Sequence, residues 1–169
     1  MTDGTYVTLD GKPAVRFERR LDHAIEEVWE AVTDPARLAH WFPARVELDL
    51  REGGTIAFAF PDGEEEMTGR VTELDPPRLF AFLWGEDELR FELEADGSGC
   101  RLRLTHLLTR GDEAARSAAG WHVCLDRLEQ MVANGDAEAP GTEPTDEWRA
   151  HYEHYLAAGM PSGAEVPGG

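Results

Sequence analysis

The chain predicts an α+β fold, a curved antiparallel β-sheet wrapped around one long helix near its C-terminal end. Three observations predict it. Strand-like segments follow one another from Ala44 to Thr109 with short, turn-bearing links, the pattern of an antiparallel meander. The stretch from about Glu113 to Ala133 carries apolar residues at helical spacing and would form a rod about 30 Å long. The order strand, helix, short helix, meander, long helix leaves that rod as the one element long enough to cover a sheet face.

Bulk properties agree. With 169 residues the chain suits one domain with a short extension, and a 41% apolar content is enough for a core. Charged residues make up 30% and the formal net charge is −18, so this acidic surface repels phosphate backbones and excludes direct nucleic-acid binding from the expected activities. The plain reading of the charge is a well-hydrated surface. Cys100 and Cys124 lie in neither a CxxC nor a Cys/His zinc spacing, and two separate thiols are expected. MTDGTYVTLDGKPAV lacks the basic region and apolar run of a secretory signal, and no apolar run is long enough to span a membrane. The expectation is a cytoplasmic protein with reduced thiols.

Taken in order, residues 1–13 read as an N-terminal extension and 14–135 as the main domain. AVRFERRL alternates, with Val15, Phe17 and Arg19 on one side and Arg16, Glu18 and Arg20 on the other, as a strand with one buried face does. AIEEVWEAVTD follows with Ile25, Val28, Trp29 and Val32 on one helical face, and Asp22 is the expected N-cap. Asp34-Pro35 ends that helix, and PARLAHWF begins a short second one with proline in its first turn. Six strands come next: ARVELDL, GTIAFAF, EMTGRVTEL, RLFAFLW, ELRFELEA and CRLRLTHLLT. Gly69, inside the third of these, predicts a bulge or bend. In the long helix, Ala114, Ala118, Trp121, Leu125, Leu128 and Val132 form the apolar stripe, Asp112 is the expected cap, and Asn134-Gly135 the expected end. Residues 136–169 read as a Pro/Gly linker, a helix at about 145–158 docked through Trp148, Tyr152, Tyr155 and Leu156, and a disordered end.

FERRLDHAIEEVWEAVTDPARLAHWF, the meander and GWHVCLDRLEQMV, in that order, resemble the SRPBCC (START/Bet v 1-like) superfamily with its helix-grip fold. Within it they are similar to homologues of the heat-shock-protein-90 ATPase activator C-terminal domain, over roughly Ala14 to Asn134. The most specific parts are VWEAVTDPARLAHWF and the Gly120-Trp121 helix with Leu125 and Leu128. The resemblance implies a deep apolar cavity between sheet and long helix. It also implies a ligand of the lipid, polyketide or aromatic-metabolite class. A few relatives in such a group catalyse cyclisation or hydrolysis. A chaperone role does not follow, because that role also uses a separate N-terminal domain.

Strand alternation selects the inward positions. Phe58 and Phe60, Phe80, Phe82 and Trp84, Phe91, and Leu104 with His106 face the interior, and Trp121, Leu125 and Leu128 meet them from the long helix. Trp41 and Phe42 arrive at the mouth from the short helix, and Met67 adds an adaptable wall. Each aromatic taken singly reads as core packing; the set, with the resemblance, supports a ligand cavity. His106 is the pointed residue, because an imidazole among leucines is costly unless hydrogen-bonded. It is either satisfied by a neighbour or placed to orient a ligand or act as a general base. His122 lies off the stripe centre, where a solvent-facing flank is expected, and His23 and His40 read as surface. Glu64, Glu65 and Glu66 read as a solvated strand edge. His151 and His154 share a helix face without a third ligand, so no metal is expected. Ser98 and Ser117 lack a GxSxG elbow, and neither GxGxxG nor GxxxxGK[ST] is present, so no cofactor is expected. The leading expectation is non-catalytic binding of a small apolar molecule. The alternatives are a cyclase or hydrolase using His106, and an interaction module such as a homodimer or a chaperone-linked partner.

Overall fold

A computed structural model describes residues 4–42, 44–59, 66–135 and 145–162. Phe60, Glu64 and Glu65, the Pro/Gly linker and the C-terminal tail fall outside the described residues, as does the side chain of Glu66. Eight strands among the described residues form a single antiparallel sheet: β1 (Thr5–Leu9), β2 (Lys12–Leu21), β3 (Arg45–Leu48), β4 (Thr55–Ala59), β5 (Glu66–Asp75), β6 (Leu79–Trp84), β7 (Asp87–Asp96) and β8 (Gly99–Leu107). Their spatial order is β1-β2-β8-β7-β6-β5-β4-β3. The helices are α1 (Ile25–Thr33), α2 (Pro35–Leu38), α3 (Ala114–Asn134) and α4 (Asp146–Ala157), with a 3-10 turn at Gly111–Glu113 leading into α3. The architecture is the predicted helix-grip fold.

Register explains why one sheet face is dry. Val15, His106, Leu89 and Phe82 stand side by side across β2, β8, β7 and β6, and Phe17, Leu104, Phe91 and Phe80 form the neighbouring row. All eight are buried. The opposite face carries charge of alternating sign across the strands, as in Glu18–Arg103–Glu92, with Arg103 Nε donating to Glu18 at 2.8 Å. Cross-strand pairs of this kind suit a solvated face.

The stretch Thr5–Leu9, read as part of an N-terminal extension, forms an edge strand. It pairs with β2 through a two-residue turn in which Asp10 (φ 51°) and Gly11 (φ 79°) both take left-handed geometry, as a hairpin turn matched to strand twist requires. At Gly69 a Cβ would sit 2.3 Å from the Leu83 carbonyl oxygen, so the residue permits close backbone approach. The register irregularity itself falls slightly later, between Val71 and Glu73.

Two expected caps are corrected. Asp22 pairs with Arg20, and Ala24 is the N-cap of α1, with no side-chain cap bond. Asp112 pairs with Arg110, and Glu113 occupies the α3 cap position with no side-chain cap bond; the Gly111 carbonyl of the 3-10 turn accepts from the Ala114 N–H and the Pro161 carbonyl from the Ala115 N–H at 3.0 Å. Asp34 does cap, accepting from the Ala36 N–H at 3.1 Å. Along α3, Ala114, Ala118, Trp121, Leu125 and Leu128 are buried and Val132 packs at the core edge. Helix α4 packs on α3, with Tyr155 1% exposed; Leu156, expected on the docking face, is 39% exposed.

Candidate functional site

The interior between the sheet and the helices is a continuous set of aromatic contacts. At the end of α2, the Trp41 indole donates to the Ala31 carbonyl at 2.8 Å, which pins the segment that delivers Phe42. Phe42 then meets Phe58 (6.0 Å between centroids), Trp84 (5.3 Å) and Trp121 (5.7 Å). Phe58 meets Trp84 at 4.9 Å, and Phe80 meets Phe82 at 4.9 Å. What remains open among Val46, Ile56, Phe42, Phe58, Phe82 and Phe91 is a cavity of about 10 Å³ with no polar lining. That is roughly one water-sized sphere, and an apolar wall offers a water no partners. Among the described residues around it, this small cavity stands where the resemblance implies a deep open chamber. Rings meeting edge-on and offset fill the space, and residue type alone does not decide whether they close a void or surround one.

Of the predicted lining residues, Phe42, Phe58, Phe80, Phe82 and Phe91 surround this small cavity. Trp41, Leu104, Trp121, Leu125 and Leu128 belong to the same buried core without lining it, and Met67 and Trp84 pack at its edge. Phe60 lies outside the described residues.

His106 faces the interior from β8, 4% exposed, and both of its ring nitrogens are engaged. Trp121 Nε1–H donates to Nδ1 at 2.9 Å, and Nε2 lies 2.7 Å from Asp87 Oδ2. An indole N–H can only donate, so Nδ1 is the acceptor and Nε2 carries the proton toward Asp87. Asp87 Oδ1 in turn accepts from the Thr109 N–H at 2.8 Å. Burial pushes the Asp87 carboxyl pKa up and is the largest single influence, but the bonds from His106 and Thr109 together hold it below its ordinary value. The sequence does not single out Asp87; its pairing with His106 comes from the β7–β8 register, which sets Leu89 opposite His106.

A second polar cluster lies between α3 and α4. His122, expected on a solvent-facing flank, is 1% exposed. Its Nδ1 is 2.8 Å from the Tyr155 hydroxyl, which also accepts from the Gly4 N–H at 2.8 Å. The His122 ring stacks on His151 at 3.8 Å between centroids. The correction follows from α4, which covers the side of α3 that the stripe leaves bare. Asp126, one turn on from His122, accepts from Arg19 Nη1 at 2.9 Å. Arg19 is 4% exposed, which fits its inward position in the strand alternation. Both cysteines are buried free thiols, and burial raises the pKa of each.

A conserved protein of unknown function from Enterococcus faecalis is 25% identical, with 92% of this chain and 89% of that one covered and a TM-score of 0.75. A protein from Bordetella parapertussis is 29% identical over 92% of this chain and 90% of its own, with a TM-score of 0.68. DynU16, a putative protein in the dynemicin biosynthetic locus, is 26% identical over 73% of this chain and 48% of its own, with a TM-score of 0.65. A search of curated proteins finds no match. Among the described residues no helix is long and apolar enough to cross a membrane. The family described as activator of Hsp90 ATPase homolog 1-like protein matches residues 22–133, which contain α1, the meander and nearly all of α3. The chain belongs to that family, within the SRPBCC superfamily.

Proposed function

We propose that the protein binds a small apolar or aromatic molecule between the sheet and its covering helices, without chemistry, by displacing aromatic side chains. The observation that carries this reading is the interlocked ring set around an unfilled, wholly apolar cavity of about 10 Å³. A guest entering here exchanges ring–ring contacts for guest–ring contacts. The Trp121–His106–Asp87 chain bounds the same core, its polar atoms satisfied within the protein. A neighbour from the dynemicin biosynthetic locus supports a small molecule of a biosynthetic pathway as the guest. With both His106 nitrogens engaged inside the protein, binding is better supported than a cyclase or hydrolase that uses His106 as its base.

Native mass spectrometry and thermal shift against a panel of lipids and aromatic metabolites test this. The expected result is a saturable, one-to-one increase in melting temperature with at least one planar aromatic compound. A panel with no such compound would contradict the reading.

A further inference from the structure

We infer that His122, Asp126 and His151 form a site for a divalent transition ion of the zinc type, which clasps α4 to α3. The three residues offer two imidazole nitrogens and one carboxylate oxygen, all within 4.8 Å of one another. His122 and Asp126 lie one turn apart on α3, with Nε2 and Oδ2 separated by 3.9 Å. His151 comes from α4, a different element, so the grouping is produced by tertiary docking rather than by helix spacing. Two imidazoles and one carboxylate are a donor set that zinc and its neighbours accept. Ligand atoms around a tetrahedral zinc stand about 3.4 Å apart at ordinary bond lengths, so the trio needs a contraction of little more than an ångström. His151 is only half-buried and makes no hydrogen bond among the described residues, which leaves its ring able to swing from the stack into coordination.

The surroundings match what a metal-binding histidine requires. The outer nitrogen of such a ligand is ordinarily held by an oxygen, which fixes the ring and leaves the other nitrogen for the ion. For His122 that oxygen is the Tyr155 hydroxyl, at 2.8 Å from Nδ1. Asp126 is similarly held: Arg19 takes Oδ1, while Oδ2 points toward His122. His154, on the exposed side of α4, is outside the group.

The test is a Co²⁺ titration of the chelator-treated full-length protein, followed by visible d–d absorption, with Zn²⁺ as competitor and excess Mg²⁺ present to mask the acidic surface. We expect saturation at one ion per chain. H151A should weaken binding about 10-fold or more, Y155F about 10-fold through loss of the outer hydrogen bond, and H154A should leave it unchanged. Circular dichroism of H151A confirms that the half-exposed substitution leaves the fold intact. Zn²⁺ should raise the melting temperature of the parent protein and not of H151A. Absence of saturable binding, or binding that survives H151A, or equal weakening in H154A, would overturn the site.

Discussion

At the scale of single residues, the most consequential side chain is His106. Its inward position follows from strand alternation, but its partners do not, because Trp121 and Asp87 reach it from α3 and from the start of β7. His106→Ala would leave a buried indole N–H without its acceptor and remove the donor from Oδ2 of the mostly buried Asp87 carboxylate, which keeps only the Thr109 N–H on Oδ1. The expected loss is about 2–4 kcal/mol, measured by urea denaturation; a change below about 0.5 kcal/mol would show that the chain contributes nothing to stability. Asp87 adds a pH dependence. Its folded pKa lies below its unfolded value, so its contribution is fully present above about pH 4 and is lost as pH falls through the lowered folded value. Stability curves of the parent and of Asp87→Asn should therefore run parallel above about pH 5 and converge in acid, whereas a constant gap down to low pH would contradict the assignment. His122 shows what residue-level reading lacks: its burial depends on a helix thirty residues away, and no local periodicity carries that information.

At the scale of elements, the six-strand meander and the long helix were legible because each carries its own periodicity and its own turn residues. The helix caps were less so. Asp22 and Asp112 are suitable capping residues by type, yet each is taken by a neighbouring arginine. The first strand was hidden by its brevity and by an exposed pattern, although Asp10-Gly11 is a hairpin signal that could have revealed it. Gly69 belongs to this scale, since it sets how closely β5 approaches the Leu83 carbonyl. Gly69→Ala should destabilise the protein by about 1–3 kcal/mol through backbone displacement. Thermal or urea denaturation measures it, and a neutral result would mean that β5 yields freely at this point.

At the scale of the whole molecule, the resemblance in the sequence located the fold, whereas the state of the interior is set by side-chain packing. Around the small cavity, ring-by-ring packing closes most of the space, and that depends on rotamers that residue identity leaves open. Packing also accounts for the thiols: Cys100 and Cys124 are both buried, so both should react with a thiol reagent only at the rate of global or local opening. Prompt modification of either in the native protein would contradict that. The central claim is that the aromatic interior yields to a guest. The most direct measurement is isotope-edited NMR with a saturating planar aromatic ligand, observing nuclear Overhauser contacts from ligand protons to the methyl groups of Val46 and Ile56, which line the small cavity. The account predicts contacts to both methyls with the fold unchanged; contacts confined to surface residues, or none for any ligand in the panel, would contradict it.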